Sequence, residues 1–336
     1  MATQSQAARG TTATATTIED LHSDMLIRAL RHLDGPALAA ASCATTHLRA
    51  IASQPDLWRD LCVTTWPSLR HPRLLRLLSS SPNAHRSFFS DAFPSPSPLT
   101  VLTDDDASLP SELISAVDLY HQGALVLSRV VETDTSTLWF RGAPFRIDAL
   151  DRKDPPPPPS PTLPAAAAAA AAEPDISPED LTLSWVVIDP HRRRAMIATS
   201  RHPAAVDRHW ITGETVVRFA SVLGEECALG VVVTCGEETG HVLEMSLMAE
   251  GIDGVCLNGR DGLAVIQAAI EGDRKREEAE EVEKRKWEEF VGRRQRRKEA
   301  AARRERVVDL ACLAVGGAAF LALFAIAVSR WLDRAV

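Results

Sequence analysis

The chain has 336 residues, of which 45% are hydrophobic and 24% are charged, and its formal net charge is -8 at pH 7. This length accommodates about two domains with a substantial core, and the acidic balance argues against a general nucleic-acid binder. The six cysteines lack the C-x2-C spacing of zinc and redox sites, so we expect a reduced, cytosol-facing body with no metal and no other cofactor.

The N-terminal half of the chain begins with a tail and continues as helices. Residues 1–17 are small and polar and predict a disordered tail, with no apolar run that would form a signal peptide. Residues 18–93 have apolar side chains at three- and four-residue spacings, which is typical of amphipathic helices. The Pro/Ser/Asp-rich residues 94–111 then predict a linker.

Residues 18–61 predict a small bundle of three helices. Asp34-Gly35-Pro36 ends the first helix and begins the second, because Gly suits a helix C-terminus and Pro a first turn. About forty residues make an uncomfortably small bundle, so part of its apolar surface should face a partner. Leu21, Met25, Leu26, Leu30 and Leu33 lie on one helical face, Leu38 continues the apolar stripe in the next helix, and Trp58 closes the unit.

Residues 112–260 change to a period of two and predict an antiparallel β-rich domain, either one sheet or a sandwich. We expect a hairpin with its turn at Gln122-Gly123 and another with its turn at Asp189-Pro190. Three further strands follow, in TVVRFASVL, ALGVVVTC and HVLEMSLMAE. Residues 152–180, with five consecutive Pro and a run of Ala, form an insertion between the strands, either a tolerated low-complexity loop or a ligand for a Pro-recognising domain.

Residues 261–306 predict one long helix. Its first turns present Leu263, Ile266 and Ile270 on one face, which should dock on the sheet. The remainder is densely charged and has too few apolar residues for heptads, which favours a solvated single helix over a coiled coil. Gly292 is the one position where we expect this helix to bend.

Residues 307–330 predict a transmembrane helix. The run from 310 to 329 has no charge and spans ~30 Å at ~1.5 Å per residue, which matches the core of a bilayer. Eight Lys and Arg between Arg293 and Arg306 place the preceding side in the cytosol. The span is therefore expected to be a C-terminal tail anchor, with the endoplasmic reticulum favoured over an organelle outer membrane. Its main apolar residues are Leu310, Leu313, Phe320, Leu321, Phe324 and Ile326.

Several of these segments resemble a known family. IEDLHSDMLIRALRHLDGPALAAASCATTHLRAIASQPDLWRDL (18–61) resembles an F-box, with Leu21-His22 where Leu-Pro is common. TTWPSLRHPRLLRLLSSSPNAHRSFFSDAFP (64–94) is similar to a group of plant F-box proteins, and so are WVVIDP, RHWITGETVVRF, CLNGRDGL and the C-terminal apolar helix. The fold class expected is thus α+β multidomain: a three-helix F-box, an antiparallel β-rich domain and a long helix entering a membrane span.

This resemblance implies a role without catalysis on the chain. The F-box would bind the Skp-type adaptor of a cullin-based SCF ubiquitin ligase, and the β-rich domain would present an unknown protein substrate. The resemblance implies an adaptor surface formed by Leu21, Met25, Leu26, Leu30, Leu33, Leu38 and Trp58. The alternative is that some of these residues, above all Leu30 and Trp58, pack inside the bundle. No G-x-S-x-G, G-x-G-x-x-G or P-loop motif occurs in the sequence. Two alternatives stay open: a membrane-tethered scaffold without ligase assembly, and a lectin-like module that stacks a ligand on Trp139, Trp185 and Trp210.

Overall fold

The computed structural model describes residues 21–97, 109–154, 176–237, 240–274 and 280–335. The predicted tail 1–17 and the Pro and Ala runs of the insertion lie outside these residues. The chain divides into two compact units, Met1–Ser90 and Asp91–Val336. The first is helical and the second is β-rich, in the order that the sequence predicts.

The first unit consists of short helices that begin at residues suited to a first turn. Asp34 caps the second helix by accepting a hydrogen bond from the Ala37 amide at 2.8 Å, and Pro55 and Pro72 begin two later helices. The helices are α1 Ser23–Leu30, α2 Gly35–Ala44, α3 Thr46–Ala52, α4 Pro55–Thr65, α5 Pro72–Leu78 and α6 Ala84–Ala92, the last ending just inside the second unit.

The expectation of three helices between residues 18 and 61 is not confirmed, because the structure has α1 to α4 there. Thr45 divides the predicted second helix. Its backbone is extended, with φ −142° and ψ 162°. Its hydroxyl accepts a hydrogen bond from the Leu48 amide at 3.1 Å and so caps α3. A Thr side chain that bonds to a nearby amide competes with helix continuation.

The described part of the second unit contains nine strands in two antiparallel sheets. One sheet has the order β2-β1-β4-β5 and the other has the order β3-β9-β8-β7-β6. The strands are β1 Glu112–His121, β2 Ala124–Asp134, β3 Arg146–Leu150, β4 Leu181–Asp189, β5 Arg194–Ile197, β6 Ala205–Arg208, β7 Thr215–Val222, β8 Cys227–Cys235 and β9 Val242–Gly251.

Both predicted hairpins are confirmed. Gln122 and Gly123 have φ angles of 49° and 81°, as a two-residue turn between right-twisted strands requires, and β1 pairs with β2 across them. At the second turn, the Asp189 carboxylate accepts hydrogen bonds from the amides of His191 and Arg192 at 2.9 and 3.0 Å. The carboxylate therefore closes the connection between β4 and β5.

The two sheets share one apolar core. Inward side chains of β1 and β4 belong to the same buried cluster as those of β7, β8 and β9. After β5 the chain crosses between the sheets: the Ala198 amide donates to the Trp185 carbonyl, and the Ser200 amide donates to the Ala220 carbonyl. The structure adds β3, β6 and a short helix, α7 Leu138–Gly142, to the predicted elements. They escaped prediction because they are only four or five residues long and lack a clear period.

The predicted single helix from residue 261 is two helices, α8 Gly259–Glu271 and α9 Glu280–Ala335. α8 ends where the Arg274 guanidinium donates to the carbonyls of Ala269 and Ile270 at 2.6 and 3.0 Å, which satisfies groups that a longer helix would use itself. The predicted docking of α8 is present, with Leu263, Ile266 and Ile270 buried in the common core.

α9 is one continuous helix through Gly292, and the bend that the sequence predicts there stays a prediction. Its N-terminal part is not the solvated helix that the charge pattern suggested. Trp287 and Phe290 are buried against Ala220, Ala228 and Ile252. The small side chains of Ala220 in β7 and Ala228 in β8 leave room for two stacked aromatic rings, whose centroids lie 5.9 Å apart.

Candidate functional sites

The seven residues proposed for adaptor contact have different environments. Met25 is 61% exposed and Leu21 is 43% exposed. Leu33 is half-buried. The other four are buried: Leu26, Leu30, Leu38 and Trp58. The N-terminal end of α1 is thus exposed to solvent, whereas the face of α1 that carries Leu26 and Leu30 packs inside the helical unit.

α1 positions this exposed end. His22 precedes the helix, and its Nδ1 accepts a hydrogen bond from the Asp24 amide at 3.3 Å. Leu26 and Leu30 are one turn apart and both point into the unit, so Met25 is rotated out of that face. Two large apolar side chains exposed to water at a helix start are the feature expected of a contact surface.

Trp58 is an internal packing residue. Its indole Nε1 donates to the Ala52 carbonyl at 2.7 Å, and its ring lies 5.5 Å from the Phe89 ring, centroid to centroid. The Arg86 guanidinium lies 5.7 Å from the Trp58 ring centroid, a cation–π arrangement. Every side of this indole is thus occupied within the helical unit.

An aromatic cluster that the residue patterns did not reveal surrounds Trp58. Trp66 packs against Phe88 and Phe89 with ring centroids 5.3 and 5.6 Å away. Gly35 approaches the Phe89 ring so closely that a Cβ there would lie 1.9 Å from the ring carbon Cζ. The aromatic residues of this cluster stand in the motifs TWPS and HRSFF, but their spacing does not place them on one helical face, so the pattern did not predict the cluster.

Two titratable groups lie beneath this cluster. The Cys62 thiol donates to the His85 carbonyl at 3.3 Å, and burial raises the pKa of Cys62 to about 12. Burial, together with the nearby Arg59, lowers the pKa of His85. Neither group is exposed enough to be a reactive site, because Cys62 is 0% and His85 8% exposed.

The three tryptophans proposed as a stacking surface do not come together. Trp185 is fully buried in the core of the sandwich, whereas Trp139 and Trp210 are 81% and 89% exposed. Trp139 lies in α7, which leads into β3 opposite Met248 near the end of β9. Trp210 precedes β7, whose first residue pairs with the last residue of β8, and that residue pairs in turn with the first residue of β9. The two exposed rings are therefore near opposite ends of the five-stranded sheet.

Trp210 and Ile211 form the tip of the β6–β7 hairpin. The turn is closed by hydrogen bonds from the His209 amide to the Glu214 carbonyl at 2.7 Å and from the Gly213 amide to the His209 carbonyl at 2.9 Å. Arg152 fixes the turn from outside, donating from both terminal nitrogens to the Glu214 carboxylate at 2.8 Å. The neighbouring Ile211 is 68% exposed, so a braced turn presents two large apolar side chains to solvent.

The C-terminal part of α9 is long and apolar enough to cross a membrane, and its apolar window is 0% buried. Each residue proposed for the span lies on the surface of this helix, with exposed fractions between 50% and 72%: Leu310, Leu313, Phe320, Leu321, Phe324 and Ile326. By its length and composition this helix is a candidate membrane span. Among the described residues, no group of three or more His, Cys, Asp or Glu is arranged to hold a metal ion.

Comparison with known proteins identifies the family. The chain is 40% identical over 316 residues to the probable F-box protein At2g36090 of Arabidopsis thaliana, covering 92% of this chain and 94% of that protein. It is 33% identical to the F-box protein At2g27310, covering 93% and 97%, and 35% identical to the F-box protein At3g44326, covering 85% and 83%, both also from Arabidopsis thaliana.

No family model matches the chain, and no solved structure matches it. The assignment therefore depends on similarity to the Arabidopsis proteins over more than nine-tenths of the chain. The chain belongs to the plant F-box protein family.

Proposed function

We propose that this protein is the membrane-anchored substrate-recognition subunit of an SCF ubiquitin ligase. Its helical unit would bind a Skp-type adaptor, which connects it to the cullin, and its β-rich domain would bind a protein substrate. The observation that carries the proposal is similarity to F-box proteins over more than nine-tenths of the chain. No chemistry would occur on the chain itself. It would act by raising the local concentration of substrate lysines near the ubiquitin-conjugating enzyme.

The exposed end of α1 is the part of the proposed adaptor surface that can make direct contact. Leu21 and Met25 would insert into the adaptor, with Leu33 at the margin, because they remain accessible in the folded unit. Leu26, Leu30, Leu38 and Trp58 would support that surface from inside. A contact of this kind concentrates its binding energy in a few apolar anchors.

Replacement of the exposed anchors tests adaptor binding. Leu21→Asp with Met25→Asp should abolish co-precipitation of a Skp-type adaptor, because burying two carboxylates without partners in an interface is strongly unfavourable. Helical content measured by circular dichroism should be unchanged, since both side chains are in solvent. Leu75→Asp is the matched control, because Leu75 is a partly exposed residue of α5. Full adaptor binding by the double variant would contradict the proposal and favour the scaffold alternative.

Substrate binding is proposed for the β-rich domain, at the hairpin tip of Trp210 and Ile211. A braced turn loses little conformational freedom on binding, which favours affinity. Exposed Trp is also the residue type most enriched at interface hot spots. A ligand stacked between three tryptophans is not supported, because Trp185 is buried and the other two lie near opposite ends of a sheet.

Membrane anchoring is proposed for residues 307–330, with the endoplasmic reticulum favoured over an organelle outer membrane. Support comes from the exposed apolar surface of α9 and from the basic residues that precede it, which favour a cytosolic location for the rest of the chain. Substrates would then be proteins in or near the same membrane.

A further inference from the structure

The position at which α9 leaves the β-rich domain is defined by ion pairs. The Arg294 guanidinium lies 2.7 Å from the carboxylate of Glu250 near the end of β9, and Arg297 lies 3.6 Å from the carboxylate of Glu226 just before β8. One turn on, Lys298 covers Gly254, where an added Cβ would lie 2.6 Å from the lysine Nζ. The helix is thus held beside the same end of the sheet over its last docked turn, and we call this end the α9-exit end.

Only a short stretch of α9 separates this end from the apolar segment. From Lys298 to Leu310 the helix advances ~18 Å at ~1.5 Å per residue. The polar headgroup layer of a bilayer occupies about 5–8 Å of that distance. Spanning helices tilt by about 20° on average. Such a tilt would bring one side of the β-rich domain closer to the headgroup layer. The part of α9 between Lys298 and Leu310 is therefore too short to hold the β-rich domain far from a membrane.

Three exposed apolar side chains lie at the α9-exit end. Val255 is 61% exposed and directly follows Gly254. Leu138 and Trp139 are 88% and 81% exposed and begin α7. The next residue of α7, Phe140, lies so close to Gly259 that a Cβ on this glycine would be 1.9 Å from the Phe140 carbonyl oxygen. These side chains have no cover in the described structure, in contrast to the apolar residues on the opposite side of α7 and α8.

We propose that the α9-exit end is a membrane-facing surface, with Leu138, Trp139 and Val255 in contact with the lipid headgroup region. Trp is the side chain most suited to this layer, because its ring is apolar and its N–H can be hydrated. The exposed Arg303, Arg304 and Arg306 on the intervening helix would attract anionic headgroups and draw the domain toward the surface. This inference rests on the proposed membrane anchoring.

Such contact would give the domain two attachments to the bilayer, and so a defined orientation. The hairpin tip at Trp210 lies near the other end of the five-stranded sheet. About eight residues of strand, at ~3.3 Å each, separate the two ends of that sheet. The hairpin tip proposed to bind substrate would then point away from the lipid. A membrane-bound substrate would be recognised through a part of it that projects from the membrane.

Site-specific photo-crosslinking tests this arrangement. Benzoylphenylalanine is placed separately at positions 139, 255, 210 and 321 of the full chain, which is reconstituted into vesicles of phosphatidylcholine and phosphatidylserine. Position 321 lies in the proposed span and reports insertion, whereas position 210 is the matched exposed control. We expect lipid adducts at 321, 139 and 255 and none at 210.

The outcomes separate this inference from the anchoring on which it rests. Adducts at 321 without adducts at 139 and 255 would overturn the membrane-facing surface and leave the anchor intact. Equal adduct yields at 210, 139 and 255 would also overturn it, because the domain would then have no preferred orientation. A lack of adducts at 321 would overturn both. Circular dichroism of each labelled protein confirms that the domain is folded, so each result is decisive.

Discussion

Met25 and Leu26 are adjacent in α1 and similar in chemistry, yet one is 61% exposed and the other 4% exposed. A helix turns ~100° per residue, so neighbours lie on different faces. Exposure thus separates the residues that can contact an adaptor from those that hold the helical unit together. The same distinction applies to Trp58, whose ring is enclosed by Phe89 and Arg86.

His85 should make the helical unit sensitive to acid. Its pKa is lowered, chiefly by burial and also by Arg59, and its Nε2 has no hydrogen-bond partner among the described residues. The unfolded chain therefore takes up the proton first, and the stabilising contribution of the neutral imidazole is lost as the pH falls below about 6.5. We expect the urea midpoint of the full chain in micelles to fall from pH 7 to pH 5.5.

Substitution of His85 should reduce this dependence. His85→Gln removes the titrating group at similar size, so its urea midpoint, followed by tryptophan fluorescence, should change less with pH. His32→Gln is the control, because His32 is exposed and its loss should leave the wild-type dependence. An unchanged pH dependence in His85→Gln would assign the effect to other groups.

At the scale of elements, α9 has two parts with different surroundings. Its first turns bury Trp287 and Phe290 on the outer face of the five-stranded sheet, and its later turns are exposed on all sides. Glu250 strengthens the docked part, because its carboxylate lies 2.7 Å from Arg294 and 4.0 Å from Arg218 and is itself mostly buried. α9 therefore joins the β-rich domain to the apolar segment as one continuous helix.

Phe290→Ala should loosen this docking. Truncation of a fully buried Phe costs ~3–5 kcal/mol where the site cannot collapse, and most of that loss should affect the contact between α9 and the sheet. Hydrogen exchange of residues 281–298 should become faster, while β4 and β8 keep their protection. Glu289→Ala, at an exposed neighbouring position, should leave exchange unchanged. Equal protection in Phe290→Ala and wild type would show that the ion pairs alone hold the helix.

At the scale of the whole molecule, the chain order places a helical unit first, a β-rich domain next and an apolar helix last. The Arabidopsis relatives match the chain over more than nine-tenths of its length. The proposed adaptor surface and the proposed anchor lie in different parts of the chain, so they would not compete for the same surface.

Removal of the apolar segment should convert the protein to a soluble form. A chain ending at Arg306 keeps the docked part of α9 and should remain folded, but it should move from the carbonate-resistant membrane pellet to the supernatant. Leu321→Arg should weaken insertion by ~2.5–3.5 kcal/mol on an insertion scale, and Leu321→Val is the matched control. Membrane retention of the truncated chain would contradict anchoring by residues 307–330.

The sequence by itself determined the features that depend on local pattern. The helical period of residues 18–93, the alternating strands, the turn at Gln122-Gly123 and the length of the apolar run all follow from side-chain spacing and backbone preference. The F-box resemblance likewise came from residues that are contiguous in the chain. These predictions required no knowledge of the tertiary contacts.

Only the tertiary structure decided which apolar residues are covered. It placed Trp185 inside and Trp210 outside, ended α8 through the Arg274 side chain, and docked Trp287 and Phe290 on distant strands. It also divided the predicted three-helix F-box at Thr45. The physical reason is that burial depends on partners far apart in sequence, and an amphipathic pattern specifies a face without specifying its neighbour.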